Sequence, residues 1–321
     1  MLTDDDFLAV RIAAAVRLGL TSYPKWLPSW LFYDEAGSRL FERITDLPEY
    51  YLTRTERGIL KAHATEMITI AAGPERLRIA EMGAGTAQKT MVLLEAAVRR
   101  QGEVLYEPVD VSDSALAAAK ARIERELKRV VVRPRHGDYT MGLDLEPTGQ
   151  RERRLVLYIG SSIGNFDAEF ATELLLVVRA GLNKGDGLLL GVDLVKDEAT
   201  LLAAYDDAAG VTAAFNRNLL VRLNRELVAN FVPEHFAHRA VWNAAESRME
   251  MYLDSRVAQT VRLNMLDLTV EFAEGEPVHT ENSYKYRPGQ AEALLESTGF
   301  HHEETWTDAK GWFAVCLGRV E

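Results

Sequence analysis

Arg78-Ile79-Ala80-Glu81-Met82-Gly83-Ala84-Gly85-Thr86 runs from a short apolar strand pattern into an acidic residue and two glycines spaced one apart. Gly83 and Gly85 offer backbone without a Cβ where a nucleoside cofactor must come close, and the apolar periodicity after Lys89 reads as the helix that follows the turn. The dinucleotide fingerprint is incomplete, because Gln88 stands where its third glycine belongs, which disfavours NAD and favours a cofactor without a pyrophosphate. A glycine pair alone also suits an ordinary strand-to-helix turn, so the acids that follow carry the decision.

The E-x-G-x-G pattern resembles motif I of class I S-adenosylmethionine-dependent methyltransferases. Val104-Leu105-Tyr106-Glu107-Pro108-Val109-Asp110 reads as a second strand ending in an acid. A carboxylate ~20 or more residues beyond the glycine loop suits the two O–H donors of a ribose diol. A third strand over 130–135 leads to Gly137-Asp138-Tyr139, where Asp138 can accept from an adenine amino group. Lys89, read as just inside the first helix, is placed to pair with a carboxylate such as the methionine end of the cofactor.

The 321 residues, 47% hydrophobic, allow one large domain or two modest ones. A net charge of -11 argues against a nucleic-acid partner, because phosphate binding needs clustered Lys and Arg. The basic run Arg151-Glu152-Arg153-Arg154 reads as a solvated turn before a strand. Cys316 is the single cysteine, which leaves no disulfide framework and no thiolate metal site. The acidic start lacks a basic leader, and no apolar run approaches the ~20 residues of a membrane span, so the reading is cytoplasmic with no membrane partner.

Strand and helix patterns keep alternating, with strands at 154–160 and 187–193 around a helix at 168–182, as in a parallel sheet with helices on both faces. The rhythm breaks over 196–286, where a long helical stretch is followed by strand-like runs at 247–255 and 261–270. A helix at 289–297 and a closing hairpin over 303–319 then return. The expected division is a substrate-binding lobe from 1–55 and 196–286, over the carboxyl edge of a cofactor domain from 56–195 and 287–321.

Several residues of these segments can choose a substrate. Asn165, ending Ile159-Gly160-Ser161-Ser162-Ile163-Gly164-Asn165, carries an amide that can donate to a carboxylate or accept from an amine, or else caps the next helix. Tyr205 interrupts small residues on a helical stretch at 202–218. Its hydroxyl can meet a substrate carboxylate, although a helical tyrosine is also ordinary core. In Thr280-Glu281-Asn282-Ser283-Tyr284-Lys285-Tyr286, alternation puts Glu281, Ser283 and Lys285 on one face and Asn282 and Tyr284 on the other. Glu281 with Ser283 can grip both nitrogens of a heterocycle, and the same pattern also suits a solvent-facing edge.

With these residues in view, nearly the whole chain resembles the histidine Nα-methyltransferases of ergothioneine biosynthesis, which trimethylate histidine to hercynine. The resemblance rests on Trp30-Leu31-Phe32-Tyr33-Asp34 with Gly37-Ser38, Leu47-Pro48-Glu49-Tyr50-Tyr51, Thr53-Arg54-Thr55-Glu56 and the 160–165 loop. Asp193-Leu194-Val195-Lys196-Asp197, 204–218, Glu250-Met251 and 281–288 complete it. It implies a Rossmann-like class I methyltransferase sheet with a second substrate-binding lobe. It also implies that Asn165 and Tyr205 hold the histidine carboxylate, and that Glu281 and Ser283 read the imidazole. Tyr33 and Tyr50 lie near the α-amine, Tyr33 as the catalytic residue, and Met251 lines the ring pocket. Gly83, Gly85, Lys89, Asp110, Asp138 and Tyr139 contact S-adenosylmethionine. The resemblance points to a monomer without a metal.

The nearest alternative is an N-methyltransferase for tryptophan or a prenylated tryptophan, since indole offers one N–H but no second ring nitrogen. A nicotinamide oxidoreductase is disfavoured by Gln88, and a non-catalytic S-adenosylmethionine-binding regulator needs no substrate pocket. His235 and His238, three apart, fit one helix face but lack a third metal ligand in the sequence. His301-His302 reads as a solvated turn.

Overall fold

The computed structural model describes residues 4–85, 87–143 and 145–321, with side chains from residue 8 onward apart from the two gaps. Thr86 of the glycine loop and residues 1–3 of the acidic start lie outside the described residues. The chain divides into two compact units, Met1–Tyr51 with Lys196–Tyr284, and Leu52–Val195 with Lys285–Glu321.

The second unit is built on an eight-stranded sheet. Arg76–Met82 lies at its centre, parallel to Val104–Asp110 on one side and to Glu152–Tyr158 on the other. Gly187–Asp193 extends the parallel set beyond Glu152–Tyr158. Phe313–Val320 then adds antiparallel to Gly187–Asp193, and Phe300–Thr307 pairs antiparallel to it at the edge. At the opposite edge the third strand falls into two pieces, Val130–Val132 and Arg135–His136, both paired with Val104–Asp110. Pro134 separates them, and a proline cannot donate to the ladder.

The central strands are apolar on both faces, as buried parallel strands must be. Leu77, Ile79, Leu155, Leu157 and Leu189 belong to one core, with Leu60, Leu94 and Ile123 of the helices Tyr51–Ala72, Met91–Gln101 and Asp113–Glu126. Their neighbours Ala80, Met82, Val156, Tyr158, Leu188 and Leu190 belong to another, with Leu175 and Leu295 of the helices Ala168–Ala180 and Gln290–Ser297. Two cores on two faces make this the doubly wound sheet that the alternating pattern implies.

Some local readings change. Arg153 and Arg154 belong to a strand, and Arg154 is buried beside Glu107, so the basic run is not a solvated turn. Likewise His301 and His302 belong to the edge strand Phe300–Thr307.

The first unit has a smaller sheet, in the order Lys25–Trp26, Pro277–Tyr284, Arg248–Ser255, Phe236–Asn243. The run at 261–270 is not one strand but part of a hairpin, Gln259–Leu263 with Leu268–Phe272. Asp267, in the left-handed region at φ 44°, turns the chain between them. The helical stretch at 202–218 is also two pieces, Glu198–Tyr205 and Val211–Leu227, separated where Gly210 adopts φ 70°. Phe215, Leu219 and Leu223 of the second helix are buried. Among the described residues no helix is long and apolar enough to cross a membrane.

Candidate active site

In the second unit the glycine turn leaves the carboxyl end of Arg76–Met82, where open α/β sheets bind ligands. Gly83 and Gly85 have φ of 64° and 50°, a region that a residue with a Cβ rarely adopts. Gly83 N–H donates to Val109 O at 2.9 Å, and Gly85 N–H donates to Asp110 Oδ2 at 3.1 Å. Asp110 Oδ1 accepts from Ser112 N–H at 2.9 Å. Each carboxylate oxygen of Asp110 is thereby fixed by one backbone N–H and keeps lone-pair capacity for a further O–H donor. Burial raises the Asp110 pKa, and the backbone donors at Ser112 and Gly85 oppose that rise.

Tyr139 lies across from the turn, with a Cβ at position 83 falling 3.5 Å from its ring. The ring meets Tyr158 edge-on at 5.7 Å, and burial pushes the Tyr139 hydroxyl up to about 12. Asp138 caps the short turn Tyr139–Met141, accepting from Thr140 N–H at 3.0 Å and Thr140 Oγ1–H at 2.7 Å. Glycine backbone at positive φ, a carboxylate fixed at the strand end and a flat aromatic wall form a cradle with the shape for a nucleoside.

Glu81 is a buried acid directly beneath this turn, accepting from Thr90 Oγ1–H at 2.6 Å and from the Tyr106 hydroxyl. Burial pushes its pKa up from 4.5 to about 7, against the two hydroxyl donors and Lys89. The folded state therefore holds this proton more tightly than the unfolded chain. That contribution to stability is complete below the unfolded value and disappears as pH rises through about 7. Glu81→Gln keeps an acceptor for both hydroxyls and is expected to flatten the loss of stability between about pH 5 and about pH 8, by up to about 3 kcal/mol. Urea unfolding across that range checks it, and an unchanged slope rules out this origin.

Lys89 precedes the helix Met91–Gln101 rather than lying inside it. Its ammonium donates to Glu56 Oε2 at 2.5 Å, and Glu56 Oε1 accepts from Gly160 N–H at 2.7 Å. Glu56 is fully buried, so the Lys89 charge is matched by a carboxylate of the protein itself. A single carboxylate thus joins the glycine-turn segment to the 160–165 loop. The sequence contains Glu56 in a recognised stretch, but nothing local signals a partner 33 residues away. Gly160 has φ 89°, and a Cβ there would fall 2.8 Å from Lys89 Nζ.

Asn165 ends the turn Ser162–Asn165 and is half-buried. It is not the cap of the following helix, because Asp167 Oδ1 accepts from Phe170 N–H at 2.8 Å and performs that task. Ser161 supports the loop from below, its Oγ accepting from Asp193 N–H at 2.9 Å.

The first unit gathers the other candidates. The Tyr205 hydroxyl lies 2.7 Å from Ser283 Oγ, both residues being buried. Glu281, two residues before Ser283, is 9% exposed and stands opposite Met251 across the antiparallel pair. A β-bulge between His279 and Glu281 sets this arrangement. Thr280 and Glu281 are both buried in succession, so Glu281 joins the face of Met249 and Met251 instead of following His279 to the other side. Asn282 and Tyr284 lie on that other side, bonded to His279 and Arg248. Lys285 lies beyond the strand end and pairs with Asp193 of its own unit at 2.9 Å.

Tyr33 and Tyr50 both contact Phe41 edge-on, at 5.7 and 6.2 Å between centroids. Phe215 completes the cluster, 5.9 Å from both Tyr33 and Phe41. Tyr33 is held at the start of the helix Glu35–Thr45 by its neighbour Asp34, which accepts from Gly37 N–H at 2.7 Å and from Asn218 Nδ2–H at 2.8 Å. Phe41 and Phe215 have no distinguishing sequence signal, because aromatic residues at helical spacing also describe ordinary core.

His235 and His238 do not share a helix: His235 ends the turn Pro233–His235, and His238 lies on the strand Phe236–Asn243. Among the described residues, no group of three or more His, Cys, Asp or Glu is arranged to hold a metal ion.

Comparison with known proteins places the whole chain. The histidine N-alpha-methyltransferase of Mycolicibacterium smegmatis is 46% identical over 314 residues, 97% of this chain and 96% of its own. That of Mycobacterium tuberculosis is 44% identical, over 93% of this chain and 92% of its own. A 4-dimethylallyltryptophan N-methyltransferase of Claviceps purpurea is more distant, 28% identical over 90% of this chain and 89% of its own. Residues 12–320 match the family described as histidine-specific methyltransferase, SAM-dependent, and the chain belongs to that family.

Proposed function

We propose that the protein transfers methyl groups from S-adenosylmethionine to the α-amine of L-histidine, three in succession, to give hercynine for ergothioneine biosynthesis. The observation that carries the choice of histidine is the buried Tyr205–Ser283 hydrogen bond on the strand that also buries Glu281 opposite Met251. Imidazole presents one N–H donor and one nitrogen acceptor. Glu281 accepts from the N–H, and the Ser283 hydroxyl can turn its proton toward the other nitrogen. Tyr205 and Asn165 are the groups for the carboxylate.

Bound on the Gly83–Gly85 turn against Asp110 and Tyr139, S-adenosylmethionine supplies an electrophilic sulfonium methyl. An ammonium has no lone pair, so the amine must lose its proton before each transfer. Tyr33 is the candidate to orient the lone pair and pass the proton outward, directly or through a water. Holding the nitrogen ~3 Å from the methyl carbon, in line and away from water, is the main contribution required of the protein. Each transfer adds bulk, and the last leaves a permanent cation. The aromatic faces of Tyr33, Phe41, Tyr50 and Phe215 suit that charge, at ~0.5 to 2 kcal/mol for a well-placed ring.

Tyr33→Phe keeps the ring and removes the hydroxyl. Turnover is expected to fall by roughly 10²-fold while the KM for S-adenosylmethionine stays put. A turnover equal to wild type at every pH removes Tyr33 from proton transfer. A time course with L-histidine tests the reaction itself, with mono-, di- and trimethylated histidine resolved by mass spectrometry. The trimethylated product should become the end point, and Nα-acetylhistidine should not react. Accumulation that stops at one methyl, or methylation of the blocked amine, contradicts the proposal.

A further inference from the structure

We infer that His238 is a positioning residue for substrate binding, a neutral imidazole that fixes the end of the helix carrying Tyr205. His238 has a side chain only 2% exposed, on the strand Phe236–Asn243. Its Nε2 lies 2.8 Å from the backbone carbonyl of Tyr205, and its Nδ1 lies 2.9 Å from Asn216 Nδ2. The carbonyl can only accept, so Nε2 carries the proton. Asn216 Nδ2 is also 3.0 Å from the carbonyl of Tyr252, so it must be the NH2 end of the amide. That NH2 donates to Nδ1, which therefore has no proton. Two independent carbonyls thus fix both the amide orientation and the tautomer.

A second proton on the ring would set an Nδ1–H against the Asn216 NH2, two donors facing each other. The alternative amide flip would face Asn216 Oδ1 toward the Tyr252 carbonyl. Asn216 is itself fully buried, and its Oδ1 has no hydrogen-bond partner. An unsatisfied buried acceptor is a cost that the fold accepts here to keep the NH2 on His238 and Tyr252. Burial lowers the His238 pKa, in the direction of the neutral ring, against the Tyr205 carbonyl and Asp206.

The consequence reaches the candidate histidine site through one residue. Tyr205 is the last residue of the helix Glu198–Tyr205, where carbonyls lack intrahelical partners. His238 satisfies the carbonyl of Tyr205, while the Tyr205 hydroxyl bonds Ser283 Oγ at 2.7 Å. Loss of the imidazole N–H frees the helix end that sets the Tyr205–Ser283 pair. This role rests on the proposed reading of Tyr205 and Ser283 as histidine-binding groups.

The test compares His238→Leu with His238→Gln. Glutamine can place an N–H near Nε2, whereas leucine fills the space without a donor. His238→Leu is expected to raise the KM for histidine about tenfold or more, with the KM for S-adenosylmethionine within about twofold, and His238→Gln to recover most of the loss. Selective 15N labelling of the seven histidines, with the His238 signals assigned by their loss in His238→Gln, should show the His238 ring in the Nε2–H form and neutral into mildly acidic solution. Equal KM values for leucine and wild type overturn the inference, as does a parallel rise for both substrates or an Nδ1–H signal for His238. If the leucine variant does not fold, the glutamine variant and the wild-type 15N spectrum decide between the same outcomes. A wild-type enzyme that does not methylate histidine at all overturns the proposed function instead, and the 15N spectrum still reads the tautomer.

Discussion

Glu281→Ala is expected to raise the KM for histidine by roughly 10²-fold or more, with the KM for S-adenosylmethionine almost unchanged. Glu281 is 9% exposed and stands opposite Met251 across the sheet, and in the proposed site its carboxylate accepts from the ring N–H. Removing the carboxylate leaves the bound ring N–H without an acceptor in a buried place, and that penalty falls on histidine alone. Glu281→Gln should be intermediate, because its amide oxygen still accepts but without charge. Initial rates over a histidine titration at saturating S-adenosylmethionine give both constants. A change under about threefold in the histidine KM for the alanine variant removes Glu281 from ring recognition.

Asp110→Ala is expected to have the complementary signature: S-adenosylmethionine affinity falls about 10- to 100-fold while histidine affinity is little altered. Asp110 receives Gly85 N–H on one oxygen and Ser112 N–H on the other, so the substitution loses the proposed diol acceptor and releases the glycine turn together. Asp110→Asn separates these contributions. The amide has only one acceptor oxygen, so it can keep one of the two backbone bonds. Calorimetric titration with S-adenosylhomocysteine reads the loss without turnover. Wild-type affinity in both variants places the ribose elsewhere.

What could be read along the chain was whatever depends on local periodicity. The apolar runs ending at Met82, Asp110 and Tyr158 give buried parallel strands because both faces of each are apolar, and the two glycines mark a turn that only glycine backbone tolerates. The acid at the end of the second strand follows from the same spacing. Three features escaped because they depend on partners distant in sequence or on single-residue irregularities. The Lys89–Glu56 pair spans 33 residues, so Lys89 by itself reads as a free cation near a ligand. The hairpin at 259–272 turns on Asp267, a residue that tolerates the left-handed region but does not announce it. The bulge before Glu281 adds one residue to a strand whose alternation otherwise looks regular, and it decides which face Glu281 joins.

The comparison between histidine and tryptophan-type acceptors is where these residues matter most. Relatives named for both are similar to this chain, at 46% and 28% identity. In the proposed site Glu281 accepts from a ring N–H and Ser283 donates to a second ring nitrogen, which indole lacks.

The most direct measurement is mass spectrometry of the purified protein incubated with S-adenosylmethionine and a mixture of the common amino acids, together with 4-dimethylallyltryptophan. Histidine alone should gain methyl groups, all on the α-nitrogen. Methylated tryptophan or its prenylated derivative, with histidine unchanged, would contradict the assignment of Glu281 and Ser283 to imidazole recognition.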